Sequence, residues 1–349
     1  MAAARAPFEL GGHTIAAGSS ATIELPVADL YTHTPVHLPV RVLHGKKPGP
    51  VLWVSAALHG DEINGVEIVR RVLRHKGISR LAGTLIAVPI VNTLAFLHQS
   101  RYLPDRRDLN RSFPGSERGS LAARLAHMFL NEVVGRSDYG IDLHTGAIHR
   151  PNLPQIRANL ANPVTEKLAK AFGAPLLLNS PPVDGTLRAF TTAKGIPVLL
   201  YEASEALRFD EVCIRIGVRG VIRVMRELKM LPESKRTRPA PAPVVSRSSQ
   251  WVRAPGSGIL RAQVALGDRV RKGQIVGIIG DPFGEAEVEV DSPVAGVVIG
   301  RLNLPLVHEG DALFHIAKVE KPGEAAQAVE RVQAETAGWQ PPTDEPPIV

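Results

Sequence analysis

Cysteine is almost missing from this chain, with Cys213 the only one in 349 residues. That excludes an intrachain disulfide framework and a cysteine-rich metal site, and fits a reducing compartment. Any metal must therefore rest on histidines and carboxylates. Aromatic residues make up only 5%, and the lysines and arginines are not interleaved with them. Despite a formal net charge of +7, no nucleic-acid partner is expected. Long apolar runs are also lacking. The opening stretch MAAARAPFELGGH has no apolar core of signal-peptide length, and no later segment nears a membrane span. A soluble, cytoplasmic protein without a membrane partner is the expectation.

What is present is ordinary globular composition, 44% hydrophobic and 21% charged, in a chain long enough for two folded units. The one local concentration of positive charge, Arg101, Arg106, Arg107 and Arg111, lies in a loop-like stretch. It reads as a field for a small anionic substrate or as a solvated basic surface.

Apolar runs alternate with helical patterns through the first two thirds of the chain. Strands are expected at Val51 to Leu58, Thr84 to Val91, Tyr139 to Leu143, Pro175 to Leu178 and Ile196 to Tyr201. Helices are expected at Gly65 to His75, Leu121 to Val134, Pro163 to Phe172 and Asp210 to Leu228. The alternation implies an α/β sheet over residues 1–230. Residues 231–250, rich in proline, serine and basic side chains, read as a linker. Short apolar runs punctuated by Gly-Asp and Pro-Gly turns follow over 251–319 and read as a small all-β domain, with a tail at 320–349.

His59-x-x-Glu62 is the only match to its pattern among 12 histidines, and it directly follows the first strand. His144 follows another. Two histidines and a glutamate with one open position form a known hydrolytic zinc set, and strand ends are where α/β folds place their sites. Each histidine alone reads as readily as an ordinary loop residue. Asp142, two residues before His144, is placed to orient that ligand or to cap the strand. Glu202 ends an apolar run and is suited to take a proton from the attacking water and deliver it to a leaving amine. Glu205 competes for that role; the run favours Glu202. In Asp108-Leu109-Asn110-Arg111, a guanidinium beside an amide reads as a carboxylate anchor, or as plain turn chemistry.

At these residues the sequence resembles the succinylglutamate desuccinylase and aspartoacylase family, a branch of the zinc carboxypeptidase-like hydrolases. The ordered set carries the resemblance: HGDE at His59 to Glu62, DLNRSFPG at Asp108 to Gly115, DLHTG at Asp142 to Gly146, and Glu202. The resemblance implies a mixed sheet flanked by helices, one zinc per chain on His59, Glu62 and His144, and catalysis by Glu202. It implies substrate contacts from Asn110, Arg111 and Arg101, with Arg188 of GTLR a further polar contact. The segment Pro104 to Arg107 looks longer than its aspartoacylase counterpart. The implied reaction is zinc-dependent hydrolysis of an N-acyl amino acid to a carboxylate and a free amino acid. A peptide-cleaving zinc carboxypeptidase and a non-catalytic zinc-binding scaffold are the alternatives, and a homo-oligomer is left open.

Aspartoacylases hold substrate with a tyrosine from their C-terminal domain. Here Tyr31, Tyr102, Tyr139 and Tyr201 all precede residue 231, which speaks against N-acetylaspartate. The C-terminal unit resembles biotinyl and lipoyl barrel-sandwich domains, in GDRVRKGQIVGII and EVEVDSPVAGVV above all. No lysine lies between Gly284 and Val297, so covalent cofactor attachment is not expected. Shaping the active-site mouth, mediating assembly or simple stabilisation are the expected uses.

Overall fold

The computed structural model describes residues 5–233 and 242–319. The tail and the centre of the expected linker lie outside the described residues. A short hairpin, β1 (Phe8–Leu10) with β2 (His13–Ile15), precedes two long antiparallel strands, β3 (Ser19–Asp29) and β4 (Pro35–His44). In β4 every second residue, from Val36 to Val42, is buried, the alternation of a strand with one face on a core. The α/β alternation then runs β5 (Lys47–Ala56), α1 (Asn64–Leu73), β6 (Ala82–Val88), α2 (Thr93–Leu97), α3 (Leu121–Glu132) and β7 (Tyr139–Gly146). It continues through β8 (Asn152–Ala158), α4 (Pro163–Phe172), β9 (Leu176–Asn179), α5 (Leu187–Ala193), β10 (Val198–Glu205) and α6 (Glu211–Glu227).

The sheet order is β3-β4-β6-β5-β7-β10-β8. Its centre, β6 to β10, is parallel, while β3, β4 and β8 join antiparallel. Mixed pairing follows from the connections: helices return the chain between parallel strands, whereas the short links β3 to β4, β4 to β5 and β7 to β8 reverse its direction. The face carrying α1, α4 and α6 buries Ile68, Phe172, Tyr201, Ile214 and Met225. The opposite face buries Trp53 with Leu38, Leu125 and Phe129. Helix ends are set by local chemistry. Asn162 accepts from the amides of Val164 and Thr165 to start α4, which ends at Gly173 (φ +79°), and Asp210 accepts from Cys213 to start α6.

The C-terminal region is all-β. It contains β11 (Val244–Ser246), β12 (Ser248–Arg253), β13 (Gly258–Ala262), β14 (Arg269–Val270), β15 (Ile275–Gly280), β16 (Glu287–Asp291), β17 (Gly296–Arg301), β18 (Leu306–Val307) and β19 (Ala312–Lys318). One four-stranded sheet, β16-β15-β13-β18, faces the layer β12-β19-β17 across a core that includes Val276, Leu313 and Phe314. That second layer is continuous with the α/β sheet: Gly300 of β17 pairs with Asn152 of β8, and β11 runs parallel to β9. The later part of the stretch read as linker is thus strand. A small shared core, Leu153, Leu176 and Leu178 with Val297, Ile299 and Ala317, seals the seam.

Candidate active site

β5 stops at Ala56, and Ala57 turns the chain through a left-handed conformation (φ +50°). The turn is held by Asn92, whose backbone amide donates to the carbonyl of Ala57 at 2.9 Å and whose side-chain amide donates to that of Leu58 at 3.3 Å. Gly60 allows α2 to approach: a Cβ there would lie 2.1 Å from the backbone of Ala95. His59 and Glu62 are so brought over the strand ends. His144 and Glu202 lie within their strands, as register neighbours on β7 and β10, because that parallel ladder extends past the apolar runs.

Glu62 is the hub. Its Oε1 lies 2.6 Å from Nδ1 of His59, and its Oε2 lies 2.7 Å from Nδ1 of His144. One ligand atom from each of the three residues falls within 4.8 Å of the others, and all three side chains are buried. The far nitrogen of each ring faces a carboxylate: Nε2 of His144 is 2.8 Å from Asp142, and Nε2 of His59 is 3.3 Å from Asp108. Asp142 in turn accepts from the Ser55 hydroxyl at 2.8 Å. Carboxylates behind the rings fix their orientation and leave both Nδ1 atoms aimed at one point, the pattern of a histidine metal site. The donor set of two imidazoles and one carboxylate suits zinc.

Electrostatics agree with the geometry. Burial alone would lower the pKa of His144, but Asp142 and Glu62 outweigh it and hold the ring well above its ordinary value. His59 is raised in the same way, burial being overcome by Glu62 and Asp108. Burial would raise Glu62, yet the two imidazoles push its carboxyl far below the usual range.

The cleft beside the cluster has a volume of about 290 Å³. It is lined by His59, Glu62, Arg101, Asn110, Arg111, His144, Arg188 and Glu202, so every expected site residue reaches one place. Arg101 donates to Asp108 at 2.9 Å and lies 3.3 Å from Glu62. Asn110 accepts from the Leu187 amide at 3.1 Å, fixing its side chain, and Arg111 folds back on the Asn110 carbonyl at 2.7 Å. Arg188 is engaged with the carbonyl of Ser180 at 2.6 Å, and burial together with Arg157 lowers its pKa to about 10. Glu205 does not line the cleft; it is buried and accepts from the His149 amide and from Asn303 of the C-terminal region.

A model of the succinylglutamate desuccinylase/aspartoacylase catalytic domain matches residues 48–228, more than half of the chain. The chain belongs to this family. Among its relatives is the N-alpha-acetyl-L-2,4-diaminobutyric acid deacetylase of Halomonas elongata, 28% identical over 311 residues that cover 85% of this chain and 90% of the relative. A crystal structure of a succinylglutamate desuccinylase/aspartoacylase from Rhodobacter sphaeroides is 27% identical, with a TM-score of 0.76 over 86% of this chain and 95% of that one. The product-bound ectoine utilization protein EutE (DoeB) of Ruegeria pomeroyi shares the fold at 23% identity, with a TM-score of 0.78 over 86% of this chain and 95% of that one. All three comparisons cover 85% or more of this chain and so extend well beyond residues 48–228.

Asp108, part of the stretch that reads as a carboxylate anchor or a turn, does not line the cleft but backs a metal-type histidine and holds Arg101 as well. Four residues with no expected role, Arg150, Asn152, Arg157 and Trp251, line the cleft itself. Asn152 and Arg157 sit on β8, a strand with no expected counterpart, and Trp251 arrives from β12 of the C-terminal region. No local motif marks them. Among the described residues no helix is long and apolar enough to cross a membrane.

Proposed function

We propose that this chain hydrolyses the amide bond of a small anionic N-acyl amino acid, using one zinc ion held by His59, Glu62 and His144. The convergence of those three ligand atoms beside Glu202 in an arginine-lined cleft is the observation that carries the reading. When bound there, zinc would supply Lewis-acid polarisation of the scissile carbonyl and acidify a water. Glu202 accepts the proton of the attacking water and passes it to the departing amine, splitting the amide into a carboxylate and a free amino acid. Asn110 and Arg111 anchor a substrate carboxylate through directed, charge-assisted hydrogen bonds. Arg101 adds positive charge near the reacting carbonyl, and Arg188 shapes the cleft wall from its fixed position on Ser180. A volume near 290 Å³ suits a single acylated amino acid.

The diaminobutyrate-derivative deacetylase among the relatives supports an N-acyl α-amino acid as the substrate class. Metal analysis and a screen of N-acetyl and N-succinyl amino acids against short peptides test the reading. Release of free amino acid by a zinc-loaded sample is expected; turnover of peptides alone would make the chain a carboxypeptidase, and no turnover of any amide would make it a scaffold.

A further inference from the structure

Glu202 is exposed to the cleft on one side, and what fixes its other side lies on β8. Its Oε2 accepts a hydrogen bond from Nδ2 of Asn152 at 2.6 Å, while Nε of Arg157 stands 3.8 Å from Oε1. That short amide contact is the only hydrogen bond Glu202 makes to another side chain among the described residues. Asn152 is itself placed from across the seam. Its backbone pairs with Ser204 on one side and with Gly300 of β17 on the other. Gly300 has no side chain where the Asn152 amide sits: a Cβ there would lie 2.8 Å from Asn152 Oδ1 and 3.3 Å from the Cβ of His315. Contacts under 3 Å must be relieved, and the atom free to move is the end of the asparagine. Turning that amide would take Nδ2 off Glu202.

We infer that Asn152 is a positioning residue for Glu202, and that Gly300 of the C-terminal β region seats it by leaving room for its amide. The C-terminal region thereby completes the active site, a role that goes beyond stabilisation. Trp251, on β12 of the same layer, lines the cleft directly and stacks on His315 of β19 at 4.4 Å between ring centroids. The seam has further contacts that leave Glu202 untouched. Asn303 donates to Glu205 at 3.2 Å, and its amide donates to the His149 carbonyl at 2.8 Å. These separate docking of the region from positioning of the base.

The inference rests on the general-base role proposed for Glu202, so Glu202→Gln is made alongside. Asn152→Ala and Asn152→Leu remove the donor, the second while keeping a side chain of similar size. Both are expected to retain zinc and melting temperature yet lose about 10- to 100-fold in kcat with little change in KM, the signature of a displaced catalytic group. Gly300→Ala should reproduce part of that loss, and the Asn152→Ala/Gly300→Ala double variant should be no slower than Asn152→Ala alone, because both act through one contact. Asn303→Ala should lower the melting temperature and leave kcat unchanged.

Wild-type kcat in Asn152→Ala, multiplying losses in the double variant, or an equal loss in Asn303→Ala would each overturn the inference. If Gly300→Ala does not fold, the two Asn152 variants and Asn303→Ala still decide it. An unaffected Glu202→Gln enzyme would instead remove the general-base reading on which the inference stands.

Discussion

The two ends of the cleft are built differently. At the metal-type end, His59, Glu62 and His144 are buried, and each ring nitrogen facing away from the cluster has its own carboxylate, Asp108 or Asp142. Every partner there belongs to the α/β domain. At the other end Glu202 is half-buried, held chiefly by Asn152, which is seated against the C-terminal region. The first end is closed by local motifs; the second is assembled across a seam between two folded regions. Damage should therefore follow two patterns, loss of metal at one end and loss of turnover without loss of metal at the other.

The sharpest break is His59→Ala or His144→Ala. Either removes a ligand and should abolish zinc retention, measured by elemental analysis, and amide hydrolysis together, a loss of about 1,000-fold or more given the several kcal/mol a Lewis acid contributes. Glu202→Gln should leave zinc content at the wild-type level and lower kcat by about 10²- to 10⁴-fold. A metal-free Glu202→Gln protein would erase the contrast between the two ends. Asp142→Asn keeps the shape behind His144 but weakens the acceptor; zinc affinity, read by competition with a chelator, should fall about 10- to 100-fold.

The smallest effect concerns pH. In metal-free protein the raised His59 and His144 contribute stability that is full below the ordinary histidine value and is lost as pH rises through their elevated values. The depressed Glu62 and Asp108 contribute above the ordinary carboxylate range and lose that contribution as pH falls. The stripped cluster should thus be most favourable between about pH 4.5 and 6.5. Zinc requires neutral imidazoles, so the gap in melting temperature between loaded and stripped protein should widen from pH 6 to pH 8. A gap that narrows over that interval would show that the imidazoles are not the ligands.

Much of the α/β domain was legible because its strands are fully buried and read as continuous apolar runs, as Val51 to Leu58 does. β3 and β4 escaped because a half-exposed strand alternates, and the proline and histidine residues in β4 blur the pattern. The apolar run favours Glu202 over Glu205, and the structure puts Glu202 on the cleft wall while Glu205 is committed to His149 and Asn303, partners that no linear reading shows. Asp108 looked like a turn residue because it is one, accepting from the Asn110 amide at 2.8 Å with the same oxygen that faces His59. A side chain with two roles shows only the local one in a linear reading.

The sequence by itself determined the alternation that builds the sheet, the single cysteine that would leave any metal to histidine and carboxylate, and the motifs that carry His59 and Glu62 past the end of one strand and His144 on another. Those are short-range properties, written in residue type and spacing. Only the tertiary structure decided which carboxylate stands behind each ring, which glutamate faces the cleft, and that Gly300, far along the chain from Glu202, borders its hydrogen-bond donor. Such contacts depend on which strands of distant origin pair edge to edge, and because every residue but proline offers the same backbone donor and acceptor, residue type does not name the partner strand.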